Sequence, residues 1–161
     1  CDRRQRQMCI RDSEVDSFVR ILEDFLGFSR VDGAFLVGAG SLGSALLQDK
    51  GLSAFGLQIE AAFDTDKTKI GTKVNDIEIF HIDQFRAMAA ERKVVIGIIT
   101  VPAEHAQNVA DLMVAWGIKA IWNFTPARIK VPTHIVVQNT TIYMNLAILF
   151  NKLYNDKGEK K

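Results

Sequence analysis

The apolar positions of this chain fall into short blocks whose period switches between that of a helix and that of a strand. Val15, Val19, Leu22, Phe25 and Leu26 recur at spacings of four, three, three and one, which puts them on one face of a helix that Gly27 stops. Ala34–Val37 is a short, wholly apolar run ending in Gly38. Ser41–Lys50 has helical character before Gly51, and Leu57–Phe63 is a second strand ending at Asp64. Residues 34–64 thus span about thirty positions, the size of one βαβ unit. The second half repeats the alternation. Ile77–Phe80 is a short strand, Asp83 is a candidate N-cap for a helix to about Glu91, and Val94–Thr100 is a β-branched run of the kind buried on both sheet faces. After Pro102, apolar residues at 106, 109, 110, 113 and 114 mark a helix over Ala103–Trp116, closed by Gly117. Strands follow at Ile118–Phe124 and Ile135–Val137. A last helix, about Thr141–Tyr154, has a stripe of Ile142, Leu146, Leu149, Phe150 and Leu153 that Tyr143, Met144, Ala147 and Ile148 widen almost to a full circle. A helix apolar nearly all round must be covered on more than one side.

Strands alternating with helices predict an α/β fold of the Rossmann type: a doubly wound, mostly parallel sheet that binds ligands beyond the C-terminal ends of its strands. The expected organisation is a linker helix over 13–30, the wound domain over 31–155 and a basic tail over 156–161. Residues 1–12 begin without Met and lack an apolar period, so they read as a non-native remnant or the frayed end of a longer chain.

Composition narrows the function. With 161 residues, 48% hydrophobic and 24% charged, the chain has the make-up of one ordinary soluble domain. The net charge of +1 hides an uneven spread: residues 1–11 carry four Arg and one Asp, residues 152–161 carry four Lys, one Asp and one Glu, and the body between holds twelve basic against sixteen acidic side chains. An acidic body lacks the basic face that phosphate neutralisation requires, so direct DNA binding by this chain alone is not expected. Cys1 and Cys9 form no metal or disulfide pattern, which fits a reducing cytoplasm, and no apolar run approaches the ~20 residues that span a bilayer.

The chemistry lies in Gly38-Ala39-Gly40-Ser41-Leu42-Gly43, a GxGxxG motif between a predicted strand and a predicted helix, with Asp64 ending the next strand 21 residues after Gly43. In such a unit Gly38 permits the tight turn, Gly40 lets the backbone approach a pyrophosphate, and Gly43 lets the helix pack on the strand. The helix N-terminus adds N–H groups and a favourable dipole. Asp64, with Thr65 and Asp66 behind it, can accept hydrogen bonds from the adenosine ribose hydroxyls, and its charge would repel a 2′-phosphate, so NADH/NAD⁺ is favoured over the phosphorylated form. The alternative is that the glycines serve only a tight turn. Lys67 and Lys69 nearby count mildly against the preference for NADH/NAD⁺, although they read as solvated loop charges. Thr100, Val101 and Pro102 close the next strand beside the expected cofactor, although Pro at a first helical turn explains Pro102 by itself. Asn123 and Phe124 are placed to contact a nicotinamide or simply to pack at a strand end. A proton donor for hydride chemistry is not evident: His81, His105 and His134 each read as surface or satisfied histidines.

The stretches LVGAGSLGSALL (36–47), AAFDTDKTKIG (61–71), ITVPAEHAQNVADLMVAWGIKAIWNFTP (99–126) and the VP-x-x-I-x-V turn of 131–137 resemble the C-terminal domain of Rex, the bacterial redox-sensing transcriptional repressor. The resemblance implies competition of NADH and NAD⁺ for one site, with NADH releasing the repressor from DNA. It implies a homodimer whose C-terminal helix, here 141–154, crosses into the partner. DNA contact is expected only through a winged-helix domain ahead of this one; about a dozen residues precede the linker helix here, so the sequence reads either as a fragment of a longer chain or as one that has lost DNA binding. The family's switch pairs a Tyr after the ALL segment with an Asp at the start of the last helix. Those positions fall at Asp49 and Thr141, and the aromatic that lines the partner's nicotinamide pocket falls at Ile142, so the redox coupling departs from the family pattern. Two other functions compete with the sensor. One is a small oxidoreductase with an interface pocket and His105 or His81 as donor. The other is a CoA-binding module, since the wound domain of succinyl-CoA synthetase is similar.

Overall fold

The computed structural model describes residues 17–19, 21–22, 31–140 and 146–151. The chain divides into two compact units, Cys1–Asp32 with Lys50–Gln58, and Gly33–Asp49 with Ile59–Lys161. In the smaller unit residues 17–19 and 21–22 are helical, and Phe18, Val19, Ile21 and Leu22 are exposed. Its short helix Gly51–Ala54 ends in tight turns that let Gly56 accept a hydrogen bond from Asp32 N at 2.9 Å.

The larger unit carries the sheet. β1 is Asp32–Val37, β2 Leu57–Asp64, β3 Lys73–Val74, β4 Ile77–His81, β5 Ile96–Ile99, β6 Ala120–Asn123 and β7 Val136–Asn139, in the spatial order β3-β4-β2-β1-β5-β6-β7. β1 pairs with β5, β2 with β4, β5 with β6 and β6 with β7 in parallel, and β3 pairs with β4 antiparallel, Lys73 opposing Glu78. Val37 of β1 aligns with Ile99 of β5, Ile99 with Asn123 of β6, and Asn123 with Asn139 of β7, so these strands finish along one edge. Beside β1 the chain continues to β2 on one flank and to β5 on the other, the topological switch point at which doubly wound sheets bind ligands.

Between residues 31 and 140 the α-helices are α1 (Ser41–Gln48), α2 (Gly51–Ala54), α3 (Phe85–Arg92) and α4 (Ala106–Ala115). Period-two burial sends Phe35, Val37, Phe63 and Ile99 to one sheet face, where they meet Phe85 of α3 and Met113 of α4. Phe85 stacks at 5.3 Å on Phe35, 4.8 Å on Phe63 and 5.2 Å on Trp116, locking α3 and the end of α4 to the strands. Each such ring pair adds roughly 0.5–1.5 kcal/mol beyond its buried area.

Several boundaries differ from the pattern-based expectation. Asp83 does not cap α3. A 3-10 turn over Ile82–Gln84 comes first, and the His81 ring accepts from Asp83 N at 3.3 Å. Ser41–Lys50 is not one helix, because Asp49 is extended and ends α1. Likewise 3-10 turn Ala103–His105 precedes α4, the strand predicted over 118–124 shortens to β6, and that over 135–137 shifts to β7. β3 is an addition to the pattern-based elements. Asn75 and Asp76, at φ 50° and 67°, make the two-residue turn that folds it onto β4. Of the final helix, residues 146–151 are described and helical, and Leu146, Ile148, Leu149 and Phe150 are exposed. Thr141 and Ile142 lie outside the described residues, as do residues 1–12 and the basic tail.

Candidate functional site

At the switch point a cavity of about 530 Å³ opens between the loop after β1, the turn after β2 and the β5–α4 connection. Of the expected site residues, Gly38, Gly40, Asp64, Thr65, Thr100, Val101 and Pro102 line it. Ala39 lies between two of these, and Ser41, Leu42 and Gly43 form the first turn of α1.

The three motif glycines exist for different reasons. Gly38 has φ +104°, and a Cβ there would lie 2.8 Å from the Thr100 carbonyl carbon and the Val101 nitrogen. On Gly43 a Cβ would strike the Gly38 carbonyl oxygen, so α1 sits as close to β1 as backbone allows. Both are demanded by the fold. Gly40 is not: its φ of −78° and ψ of −164° suit any residue, and a Cβ there meets nothing within 4 Å. Its missing side chain leaves space on the cavity side. Gly40 is also the N-cap of α1, and no side chain caps that terminus. The leading N–H groups and the positive end of the helix dipole are thus offered to an anion.

The loop is braced from both flanking strands. Gly38 N donates to Phe63 O at 2.8 Å, and the Thr100 hydroxyl lies 3.1 Å from Val37 O and 2.8 Å from Gly38 O. Asp64 reaches back to it: Oδ2 accepts from Ala39 N at 2.9 Å and from Lys69 Nζ at 3.2 Å, while Oδ1 accepts from Thr65 N at 2.8 Å and Asp66 N at 2.9 Å. Asp66, one step further along the turn, does not line the cavity. The Thr68 hydroxyl and N–H that it binds, with Lys69 nearby, hold its carboxyl below the ordinary carboxylate value.

Asn123 and Phe124 lie outside this cavity. The Asn123 side chain is fully buried, its amide donating to Ala127 O at 2.8 Å and Asn139 Oδ1 at 2.9 Å, and its oxygen accepting from Thr125 N and Oγ1. Phe124 packs on Trp122 at 4.6 Å. Of the histidines, His105 lines the cavity, His81 caps the 3-10 turn with its ring 3.0 Å from Asp83 Oδ2, and His134 is exposed. Asp49 follows α1 in extended conformation.

Sequence reasoning missed the apolar wall made by Ile82, Val109 and Leu112, with Asn108 beside it. The signal was present in Leu112, an exposed apolar residue on a helix whose buried stripe runs through Ala106, Val109, Ala110 and Met113. Lys69 is more than a solvated loop charge: its ammonium lies 3.2 Å from Asp64 Oδ2 in the cavity lining, with the side chain still 37% exposed.

The family model described as a CoA binding domain matches residues 32–127. The redox-sensing transcriptional repressor Rex of Bacteroides fragilis is 58% identical over 140 residues, which are 87% of this chain and 64% of that protein. The Rex repressor of Pelotomaculum thermopropionicum is 40% identical over 145 residues, covering 90% of this chain and 68% of that one. The chain belongs to the Rex family. Among solved structures, RSP, a Rex-family repressor, superposes with a TM-score of 0.84 at 30% identity in its complex with β-NAD⁺ and operator DNA, over 91% of this chain and 70% of RSP. In complex with β-NADH, RSP superposes with a TM-score of 0.83. The chain spans 64% of the length of the Bacteroides Rex repressor it matches.

Proposed function

We propose that this chain is the NAD(H)-binding sensor region of a Rex repressor and reports the NADH/NAD⁺ ratio. The observation that carries the reading is Gly40, a glycine the fold does not need, at an uncapped helix N-terminus beside a cavity that Asp64 also lines. An anion such as a pyrophosphate is received by the α1 N–H groups across Gly40. The adenosine ribose is held at Asp64, with Thr65 and Asp66 shaping the turn beneath it. The adenine fits the wall of Ile82, Val101, Val109 and Leu112, and Thr100 and Pro102 border the path toward the nicotinamide end. The Rex proteins it resembles are repressors, and RSP is described with β-NAD⁺, β-NADH and operator DNA.

The reading extends to assembly. The exposed apolar residues of the final helix suit a homodimer in which 141–154 crosses to the partner, with Asp49, Thr141 and Ile142 as switch positions. DNA contact belongs to a winged-helix domain rather than to this wound domain. No step of catalysis is assigned. Calorimetry with NADH, NAD⁺ and CoA side by side tests the proposal, because the wound domain family takes its name from CoA. Binding of NADH and NAD⁺ in mutual competition is expected. CoA binding without NADH binding refutes it, and steady NADH oxidation with carbonyl substrates would make the chain an enzyme.

A further inference from the structure

The turn after β2 is built so that a lysine returns to the carboxylate five residues before it. Asp66 Oδ1 accepts from Thr68 N and Oγ1, and Asp66 O accepts from Lys69 N at 3.0 Å, which doubles the chain back and lays Lys69 Nζ 3.2 Å from Asp64 Oδ2. A carboxylate offers about four lone-pair sites. All four on Asp64 are engaged, three by backbone N–H groups fixed by the fold and one by Lys69. Only the lysine, on its long flexible stem, can leave without unfolding the turn.

We propose that Lys69 determines which riboses this site accepts: it holds the place of a ribose hydroxyl on Asp64 until a nucleotide binds, and it is a phosphate ligand kept latent by that pairing. The inference rests on the NAD(H) reading above. A ribose with free hydroxyls displaces the ammonium and bonds to Asp64. A ribose phosphate meets the Asp64 charge and is turned away, although a cation stands beside it. With the Asp64 charge removed, the ammonium keeps, among the described residues, the Asp66 pair at 3.7 Å, and that side chain is 44% exposed. An exposed pair of this kind is weak. Lys69, whose own side chain is 37% exposed, is then in place to receive a 2′-phosphate.

The test is titration of wild type, Asp64→Asn and Asp64→Asn/Lys69→Met with NADH and NADPH, followed by nucleotide fluorescence. Thermal melting confirms that each is folded, and Asp64→Ser with and without Lys69→Met repeats the comparison if the amide disturbs the turn. A charge-assisted phosphate contact predicts that Asp64→Asn shifts the NADPH-to-NADH affinity ratio by about tenfold or more, and that adding Lys69→Met abolishes this gain. A double variant that keeps the full gain overturns the role of Lys69, as does an Asp64→Asn protein that binds NADH and gains nothing for NADPH. Wild type that binds no NADH fails the sensor reading itself, a result distinct from either.

Discussion

Alanine at Gly40 should separate ligand affinity from stability. The backbone there, at φ −78° and ψ −164°, suits alanine, and its Cβ would touch nothing within 4 Å. Two small effects on folding oppose each other. Alanine loses less chain entropy than glycine, a gain of about 0.4–1 kcal/mol. It is also a poorer N-cap, a loss of roughly 0.5–1 kcal/mol. The net change should stay within about 0.5 kcal/mol, a melting shift of no more than ~2 °C for a chain of this size. The cavity side differs. A methyl over the α1 N-terminus keeps phosphate oxygens from closing on the N–H groups, and losing two charge-assisted bonds at ~1.5 kcal/mol each weakens binding about a hundredfold. Energy transfer from Trp116 and Trp122 to NADH, with a thermal melt of the same sample, reads both quantities. A Gly40→Ala protein that melts like wild type and binds NADH equally well refutes the assignment of the loop to a pyrophosphate. Gly43→Ala is the control in which both must fall, because its Cβ meets the Gly38 carbonyl and overpacking costs about 1–3 kcal/mol.

Other perturbations follow from the same contacts. Asn123→Ala strips the buried tie between β6, β7 and the Thr125–Ala127 turn and should cost about 2–3 kcal/mol, seen as a melting point roughly 5–10 °C lower; an unchanged melt would contradict the structural role of the amide. Thr100→Val puts a methyl where the hydroxyl meets Val37 O and Gly38 O, so NADH affinity should fall, whereas Thr100→Ser should retain it in the same titration. Removing the chain from Thr141 onward should leave a monomer by light scattering, and a stable dimer without that segment would exclude the helix exchange. Because Asp66 titrates below its ordinary 3.8, its contribution to stability is present above that value and lost as pH falls through the lower folded value. Thr68→Val should move that titration, followed by carboxyl NMR, back up.

How much was legible depends on distance along the chain. Gly38, Gly40, Gly43 and Asp64 belong to one βαβ unit whose geometry is local, so spacing alone brought Gly38, Gly40 and Asp64 to one cavity and set Gly43 in the first turn of α1 behind it. Lys69 is near in sequence, but its direction depends on two successive side-chain-capped turns at Asp64 and Asp66, which a charge count reads only as surface polarity. The Asn75-Asp76 pair carried a hairpin signal. The strand it closes, Lys73–Val74, is too short to show a period. Asn123 could not be resolved between ligand contact and packing, because its partner Asn139 lies 16 residues away on a neighbouring strand.

The bracing of the glycine loop also sets the order in which the binding site comes into being. Its ties run from Ala39 to Asp64 across 25 residues and from Thr100 to Gly38 and Val37 across 62 and 63. A chain emerging from the ribosome with only β1, α1 and β2 has half of a cradle, and β5 must dock before the rest can form. Contacts of such separation close late. A nucleotide therefore arrives too late to template the first folding steps. Its stabilising effect falls on the finished domain, so saturating NADH is expected to slow unfolding while leaving the folding rate nearly unchanged.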